Sequence, residues 1–305
     1  MTRFLWPPLA QPPRVARVFA VLAYEGISEK TNEVSPERFA EHLTALRDAG
    51  YIPIRLRDVE AFYYEGALLP KKAVLLTMDQ SRKTSYFAAS ALLRRAGWNA
   101  VMFLWTRPIE EQDPAALLWP YVRNLVRSEV WEIGAQSHDG FQPVVTTPSG
   151  RKGSFFTSPR WIELEKRYEE PDEFLQRLRD DHTQCWTLIS NRLGVVPIAY
   201  AYPGGDFGQH QRRLPNAALL NTRLAAERYR LAFSIGELAY NTPQTHPLRL
   251  NQLRVHSTWS GRDLVDRLER SRPRPDPAPT TGVLDPRQWI ADWGEAYPDE
   301  TGALV

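Results

Sequence analysis

The apolar run Ala73-Val74-Leu75-Leu76-Thr77-Met78 ends on Asp79 and Gln80. A continuous apolar stretch of this length is a strand buried on both faces, and in barrel enzymes the C-terminal ends of such strands carry the chemistry. A carboxylate at that point can act as a base, cap the helix that follows, or pair with Arg82. The residues alone leave these roles open. His138-Asp139 offers imidazole and carboxylate donors, which after a local two-residue slip could join Asp79 or Glu25 around a metal ion; the preferred reading is an ordinary solvated loop. Glu25 is an odd residue to bury and belongs at a pocket mouth or beside an arginine. His42, His182, His210 and His246 fall on helix faces or in loops and read as structural. Trp105, Trp119, Trp161, Tyr200 and Tyr202 lie near strand ends or site loops, where rigid apolar rings can stack on sugar faces, although most tryptophans fill cores.

These residues must be held by an alternation of strands and helices running from about Val15 to Arg270, the pattern of a parallel sheet or barrel with helices outside. Residues 18–24 form the first strand. Ser35 then caps a helix with Pro36 at its first position and Phe39, Leu43 and Leu46 at helical spacing, and Gly50 ends it. Further strands are expected at 52–54, 73–78, 100–104, 131–134, 198–202, 231–234 and 253–255, and further helices at 56–66, 84–96, 171–193, 216–228 and 261–270. Residues 142–158, rich in Pro, Thr, Ser and Gly, read as a long loop of the kind that shapes a site.

The result is one α/β domain over residues 15–270, preceded by an extension at 1–14 and followed by a proline-dense linker at 271–283 that cannot be helical. The tail 284–305, with Trp289 and Trp293, is aromatic enough to want burial but too short to fold alone, and reads as the start of an incomplete second domain. A chain of 305 residues, 43% hydrophobic and 24% charged, can bury one large core. Its formal net charge is +2, and 32 Arg and 6 Lys are spread along the whole length, so no nucleic-acid footprint is expected. The segment from Met1 to Pro8 has too short an apolar core for a secretory signal, and no later run reaches membrane-spanning length. As written the chain reads as cytoplasmic, with an exported parent left open. Cys185 is the single cysteine, which forbids an internal disulfide, and it reads as a small packed side chain rather than a reactive thiol.

Tyr24, the helix from Ser35 to Gly50, the run from Leu69 to Asp79, Trp131-Glu132-Ile133-Gly134 and Ala201-Tyr202-Pro203-Gly204-Gly205-Asp206 follow a shared order and spacing. Together they resemble the polysaccharide deacetylases of carbohydrate esterase family 4, the nodulation-type deacetylase homology domain, and most of all the branch acting on poly-N-acetylglucosamine of biofilms. The resemblance covers about residues 15–270. It implies an irregular, incomplete (β/α) barrel with its site at the C-terminal strand ends. It also implies an Asp-Asp pair, the first a general base and the second joining two histidines around a divalent metal, usually zinc, which lowers the pKa of its water from about 16 to about 7. On this resemblance Asp79 matches the base, Gln80 stands at the metal aspartate's position, Gln136 at the first histidine's and Phe141 at the second's. A neutral amide oxygen is a weak ligand and a phenyl ring offers no lone pair, so the donors that hold zinc are missing. Glu25 replaces a histidine that usually follows the tyrosine of the first motif. Gly204 stands where the family commonly has a tyrosine whose backbone N–H helps stabilise the oxyanion, an N–H that glycine retains. His256 is a weak match for the general acid, and the motif places Tyr202 at the pocket.

The expectation is therefore a deacetylase-like domain that has lost its metal site, needs no cofactor, and serves as a carbohydrate-binding or scaffold pseudoenzyme in exopolysaccharide metabolism. Its pocket would be formed by Asp79, Gln80, Gln136, Tyr202 and Gly204, and its partner would be an N-acetylhexosamine-containing polymer. Two alternatives stand beside it. One is an active N-deacetylase that holds zinc through a rearranged set including Asp79 and His138. The other is a protein-interaction module whose partner is the region after the linker.

Overall fold

A computed structural model describes residues 13–210 and 216–274. Seven parallel strands form a ring in chain order: β1 (Phe19–Tyr24), β2 (Ala73–Met78), β3 (Ala100–Trp105), β4 (Trp131–Ser137), β5 (Ala199–Ala201), β6 (Leu231–Gly236) and β7 (Leu250–Arg254). The ring closes where β7 pairs with β1, Leu253 opposite Leu22, and β1 pairs with β2 from Phe19↔Ala73 to Tyr24↔Met78. It is one strand short of the usual eight yet hydrogen-bonded all the way round; its thinnest seam is β4 to β5, joined at the single pair Tyr200↔Ala135. Two short strands attach outside the ring, Ile52–Pro53 parallel to β2 and Tyr240–Asn241 antiparallel to β1.

Strand side chains alternate between faces, and the two sets pack into two cores. Phe19, Val21, Ala73, Leu75, Val101, Phe103, Ala199, Ala201, Leu231, Phe233 and Leu250 share the ring interior with Leu56, Val59, Phe62 and Tyr63 of α2 (Leu56–Tyr64). The Phe19 ring meets those of Phe62 and Tyr63 at 5.4 and 6.2 Å, so α2 plugs the N-terminal end of the ring. Gly134 admits the Phe103 ring, since an added Cβ would fall 2.3 Å from it. The opposite face of each strand, including Leu22, Leu76, Met102, Tyr200 and Tyr202, packs under an outer layer of helices.

That layer includes α1 (Pro36–Asp48), α3 (Lys83–Ala96), α4 (Thr106–Glu110), α5 (Trp119–Val126), α6 (Pro171–Leu193), α7 (Ala217–Ala226) and α8 (Gly261–Ser271). Helix α1 starts as expected, with the Ser35 hydroxyl accepting from the Arg38 N–H and Pro36 at the first position. His42 on α1 is structural, its Nε2 lying 2.7 Å from the Trp259 carbonyl oxygen. On α6, Cys185 is fully buried with Sγ 3.9 Å from the Leu104 carbonyl oxygen.

Several expectations are refined. The last strand begins at Leu250 rather than Leu253, because Asn251 and Gln252 continue it despite breaking the apolar run. Helices α4 and α5 were not expected; each carries a proline near its start, Pro108 and Pro120. The long loop contains one small hairpin, Val144–Val145 with Lys152–Gly153, and a second, Trp161–Ile162 with Arg167–Tyr168, follows it before α6. It is fastened to α6 by the nearly buried Arg177, which donates to both oxygens of Glu169 at 2.8 Å and to the carbonyls of Phe155 and Ser158. Arg14, placed in the N-terminal extension, already belongs to the fold, pairing with Pro70 and bridging Asp58 at 2.7 Å. Residues 1–12 of that extension, the linker beyond Arg274 and the proposed second domain lie outside the described residues.

Candidate functional site

With the N-terminal end plugged, the candidate site falls at the C-terminal end of the ring, and the inward alternation decides which side chains converge there. Continuing the inward set of each strand reaches Glu25 after β1, Thr77 and Asp79 at the end of β2, Gln136 on β4, and Gln252 and Arg254 on β7. Thr77, Asp79, Gln136 and Gln252 are buried, whereas Glu25 and Arg254 form a half-exposed ion pair of 2.9 Å at the mouth. The pairing of Glu25 with an arginine is the arrangement its charge required.

The two amides are held in fixed orientations. The Thr77 hydroxyl donates to the Leu22 carbonyl at 3.0 Å, so it can only accept from Gln252, which turns its Nε2 toward it. The backbone N–H of Gln80 can only donate, and it meets Oε1 of Gln136 at 2.7 Å. Gln80 and Ser81 have φ of 64° and 43°, a left-handed turn that brings this N–H round toward β4. Three buried atoms are then left without a hydrogen-bond partner: Asp79 Oδ1, Gln136 Nε2 and Gln252 Oε1. Burial, reinforced by the neighbouring Glu25 carboxylate, pushes the Asp79 carboxyl up to about 7. The nearby amides of Gln136 and Gln252 and the more distant Arg254 act in the opposite direction without offsetting this, and no bond of normal geometry reaches Oδ1.

Asp79 neither caps α3 nor pairs with Arg82. Arg82 instead donates to Glu33 and to the Gln80 side-chain oxygen, both at 2.7 Å. His138 does not sit in a solvated loop as the sequence suggested: it is buried, with Nδ1 3.0 Å from the Thr106 hydroxyl and Nε2 3.0 Å from the Gln184 amide nitrogen. The cause is Asp181 of α6, which accepts from the Ser137 hydroxyl at 2.9 Å, the His138 N–H at 3.1 Å and the Asp139 N–H, drawing the segment after β4 onto the helix. Asp139 is taken up by Arg107 at 2.6 Å. Phe141 packs on Trp105, ring centroids 4.8 Å apart.

Tyr202 requires a correction. It falls on the outward alternation of β5, its ring is 1% exposed between Tyr200 and Phe207, and its hydroxyl donates to the Leu248 carbonyl at 3.0 Å. No face of the ring is free for a sugar. Gly204 is exposed at φ 63° in the short turn Pro203–Gly205. His256 is exposed against the Trp259 ring, centroids 4.7 Å apart. Gln252 was missed; the polar residue two after Leu250 was its only signal, and that signal needs the strand placed correctly first.

The positions that the resemblance assigns to a metal do not suit one. Oε1 of Gln136 is occupied by the Gln80 N–H, Oε1 of Gln80 by Arg82, and Phe141 has no donor atom. Among the described residues no three or more His, Cys, Asp and Glu side chains converge as a potential metal cage.

The family model described as polysaccharide deacetylase matches residues 67–221. A poly-beta-1,6-N-acetyl-D-glucosamine N-deacetylase of Escherichia coli K12 is 21% identical over 216 residues, covering 65% of this chain but only 32% of that protein's length. Among solved structures, a de-N-acetylase from Aggregatibacter actinomycetemcomitans superposes with a TM-score of 0.72 at 19% identity, over 82% of this chain and 100% of the other. The BpsB deacetylase domain from Bordetella bronchiseptica superposes with a TM-score of 0.66 at 19% identity, over 80% of this chain and 97% of the other. IcaB from Ammonifex degensii gives 0.62 at 18% identity, over 83% and 97%. At these identities the superpositions establish the shared barrel.

Proposed function

The chain belongs to the polysaccharide deacetylase family, and from that membership we propose that it is a carbohydrate-binding domain of exopolysaccharide handling that has lost its divalent-metal site and, with it, hydrolysis of acetamido groups. The observation that carries this reading is the bond from the Gln80 N–H to Gln136 Oε1, which links two of the positions where the family resemblance puts metal ligands. Neutral amide oxygens, each with one lone pair already engaged by an N–H donor, lack the negative charge and the nitrogen donors that hold zinc. What remains is a cluster of polar side chains at the C-terminal end of the ring, Thr77, Asp79, Gln136 and Gln252, beneath the half-exposed pair Glu25 and Arg254.

The test combines three measurements on purified protein: zinc content, acetate release from N-acetylglucosamine oligomers, and binding to amino-sugar oligomers by calorimetry. Binding without stoichiometric metal or acetate release is expected. Stoichiometric zinc with turnover would overturn the reading. One observation favours surviving catalysis: a carboxyl pushed up to about 7 suits a general base at neutral pH, and Asp79 is such a group. Acetate release abolished by Asp79→Asn would establish that second reading.

A further inference from the structure

We propose that the hairpin of Trp161–Ile162 with Arg167–Tyr168 is a stacking platform for a polysaccharide chain, its two aromatic rings receiving the apolar C–H faces of pyranose units. The proposal rests on the carbohydrate-binding reading above and gives that binding a surface.

Trp161 and Tyr168 stand directly opposite one another on the two strands, so their side chains share a face. The rings meet edge to face, centroids 5.1 Å apart at 74°. Such a pair covers one face of one ring and leaves the other faces uncovered by the partner. Tyr168 is 52% exposed, Trp161 is half-buried, and Leu164 at the turn is 97% exposed. Exposed apolar residues are ordinary when scattered singly, whereas these share one short hairpin and form a patch of the kind that marks an interaction site. Of the other aromatic residues considered for sugar stacking, Trp119, Tyr200 and Tyr202 are buried and Trp105 packs on Phe141.

The patch is held in place. Below the hairpin the Glu169 N–H donates to the Arg160 carbonyl at 2.7 Å, and the Arg160 N–H to the Glu169 carboxylate at 2.9 Å. Arg177 of α6 grips that same carboxylate, and Arg167 reaches Glu173 in the first turn of α6 at 2.6 and 2.8 Å. Trp161 Nε1 donates to Glu163 at 2.7 Å, which sets the plane of the indole. An aromatic surface ordered in advance loses little freedom when a ligand settles on it.

Place and chemistry name the occupant. The connection that carries the hairpin leaves the C-terminal end of β4 and enters the start of α6. In a ring of parallel strands with outer helices both points lie at the C-terminal end, where Asp79, Gln136 and Gln252 also converge. A polymer laid across that end can reach the platform, as a single small sugar held by the polar cluster would not. A pyranose offers a flat C–H face rimmed by hydroxyls, and the two rings share their hairpin with Glu163, Glu165, Lys166 and Arg167, side chains that accept from and donate to hydroxyls.

The experiment measures binding of N-acetylglucosamine and glucosamine oligomers by calorimetry, with the urea midpoint and oligomeric state of each variant. The double variant Trp161→Leu with Tyr168→Leu keeps apolar bulk and removes the flat rings; it should weaken binding about tenfold at an unchanged midpoint. Tyr168→Leu alone, at the more exposed ring, should weaken it about threefold, and decides the matter if the double variant is destabilised. Trp161→Phe with Tyr168→Phe keeps a ring at each position and should bind within about threefold of the parent. Phe87→Ala, at the exposed pair Phe87 and Tyr121 on α3 and α5, should leave affinity unchanged. Parent-level affinity in the leucine variants, or equal losses in the leucine and phenylalanine pairs, would overturn the inference while leaving carbohydrate binding in place. A dimer of the parent that the leucine pair abolishes would give the hairpin to a second copy of the chain and overturn it as well. Binding of neither oligomer by the parent would remove the carbohydrate reading and this inference together.

Discussion

The backbone N–H of Gln80 donates to the side-chain oxygen of Gln136 at 2.7 Å, tying the end of β2 to β4 across the mouth of the ring. The bond satisfies an N–H in a left-handed turn at φ 64° that has no partner in the strand ladder. Gln136→Leu keeps the volume but leaves that N–H without its acceptor. We expect a loss of about 1–3 kcal/mol in urea unfolding, together with faster amide exchange at Gln80; unchanged exchange there would show that the bond does not hold the turn.

Asp79 predicts a pH dependence of stability. Its carboxyl is raised from 3.8 to about 7 in the folded protein, so between those values the folded state keeps a proton that the unfolded state has released. Stability is then highest at low pH and falls as pH rises through the window from about 4 to 7, by at most ~4 kcal/mol from this group. Asp79→Asn should be near neutral for stability at the acidic end and stabilising above neutrality. Urea midpoints measured across the window check this, and a difference between variant and parent that does not change with pH would refute it.

Tyr202→Phe separates a core role from a sugar-stacking one. Removing the hydroxyl that reaches Leu248 should cost about 0.5–1.5 kcal/mol of stability. Glycan affinity should stay within about twofold, since the ring is enclosed between Tyr200 and Phe207. A large loss of affinity without loss of stability would return Tyr202 to the pocket.

Arg177 is the fastener of the long loop, with a side chain only 9% exposed against a fully buried Glu169. Arg177→Ala leaves a buried carboxylate without its main partner, and a loss of about 3–5 kcal/mol is expected. The double variant Arg177→Met with Glu169→Leu should recover most of it. Protease digestion provides a second readout: cleavage between residues 142 and 168 should appear in the single variant and recede in the double.

The ring was legible because its strands are unbroken apolar runs, such as Phe19–Tyr24 and Ala73–Met78, too short for a buried helix and apolar enough for a strand covered on both faces. The pocket was legible only in part. Asp79, Gln80 and Gln136 announce themselves at strand ends, but Gln252 does not. Whether it faces inward depends on β7 starting at Leu250, paired with Phe233, a register that no local pattern states. Tyr202 failed for the complementary reason: its place in a motif drew it to the pocket, while simple alternation from Ala199 and Ala201 turns it outward. The burial of His138 depends on Asp181, forty-three positions away, and such a contact leaves no trace in the local sequence.

Cys185 of α6, buried against the Leu104 carbonyl, has its thiol pushed up to about 12 by burial and the nearby Asp181, so in the closed molecule it is both unreachable and unreactive. A disulfide reagent can mark it only in molecules whose longest helix has lifted from the wall of the ring. The chain thus carries a built-in tamper seal, and the rate at which that seal breaks counts the excursions without any probe having been attached.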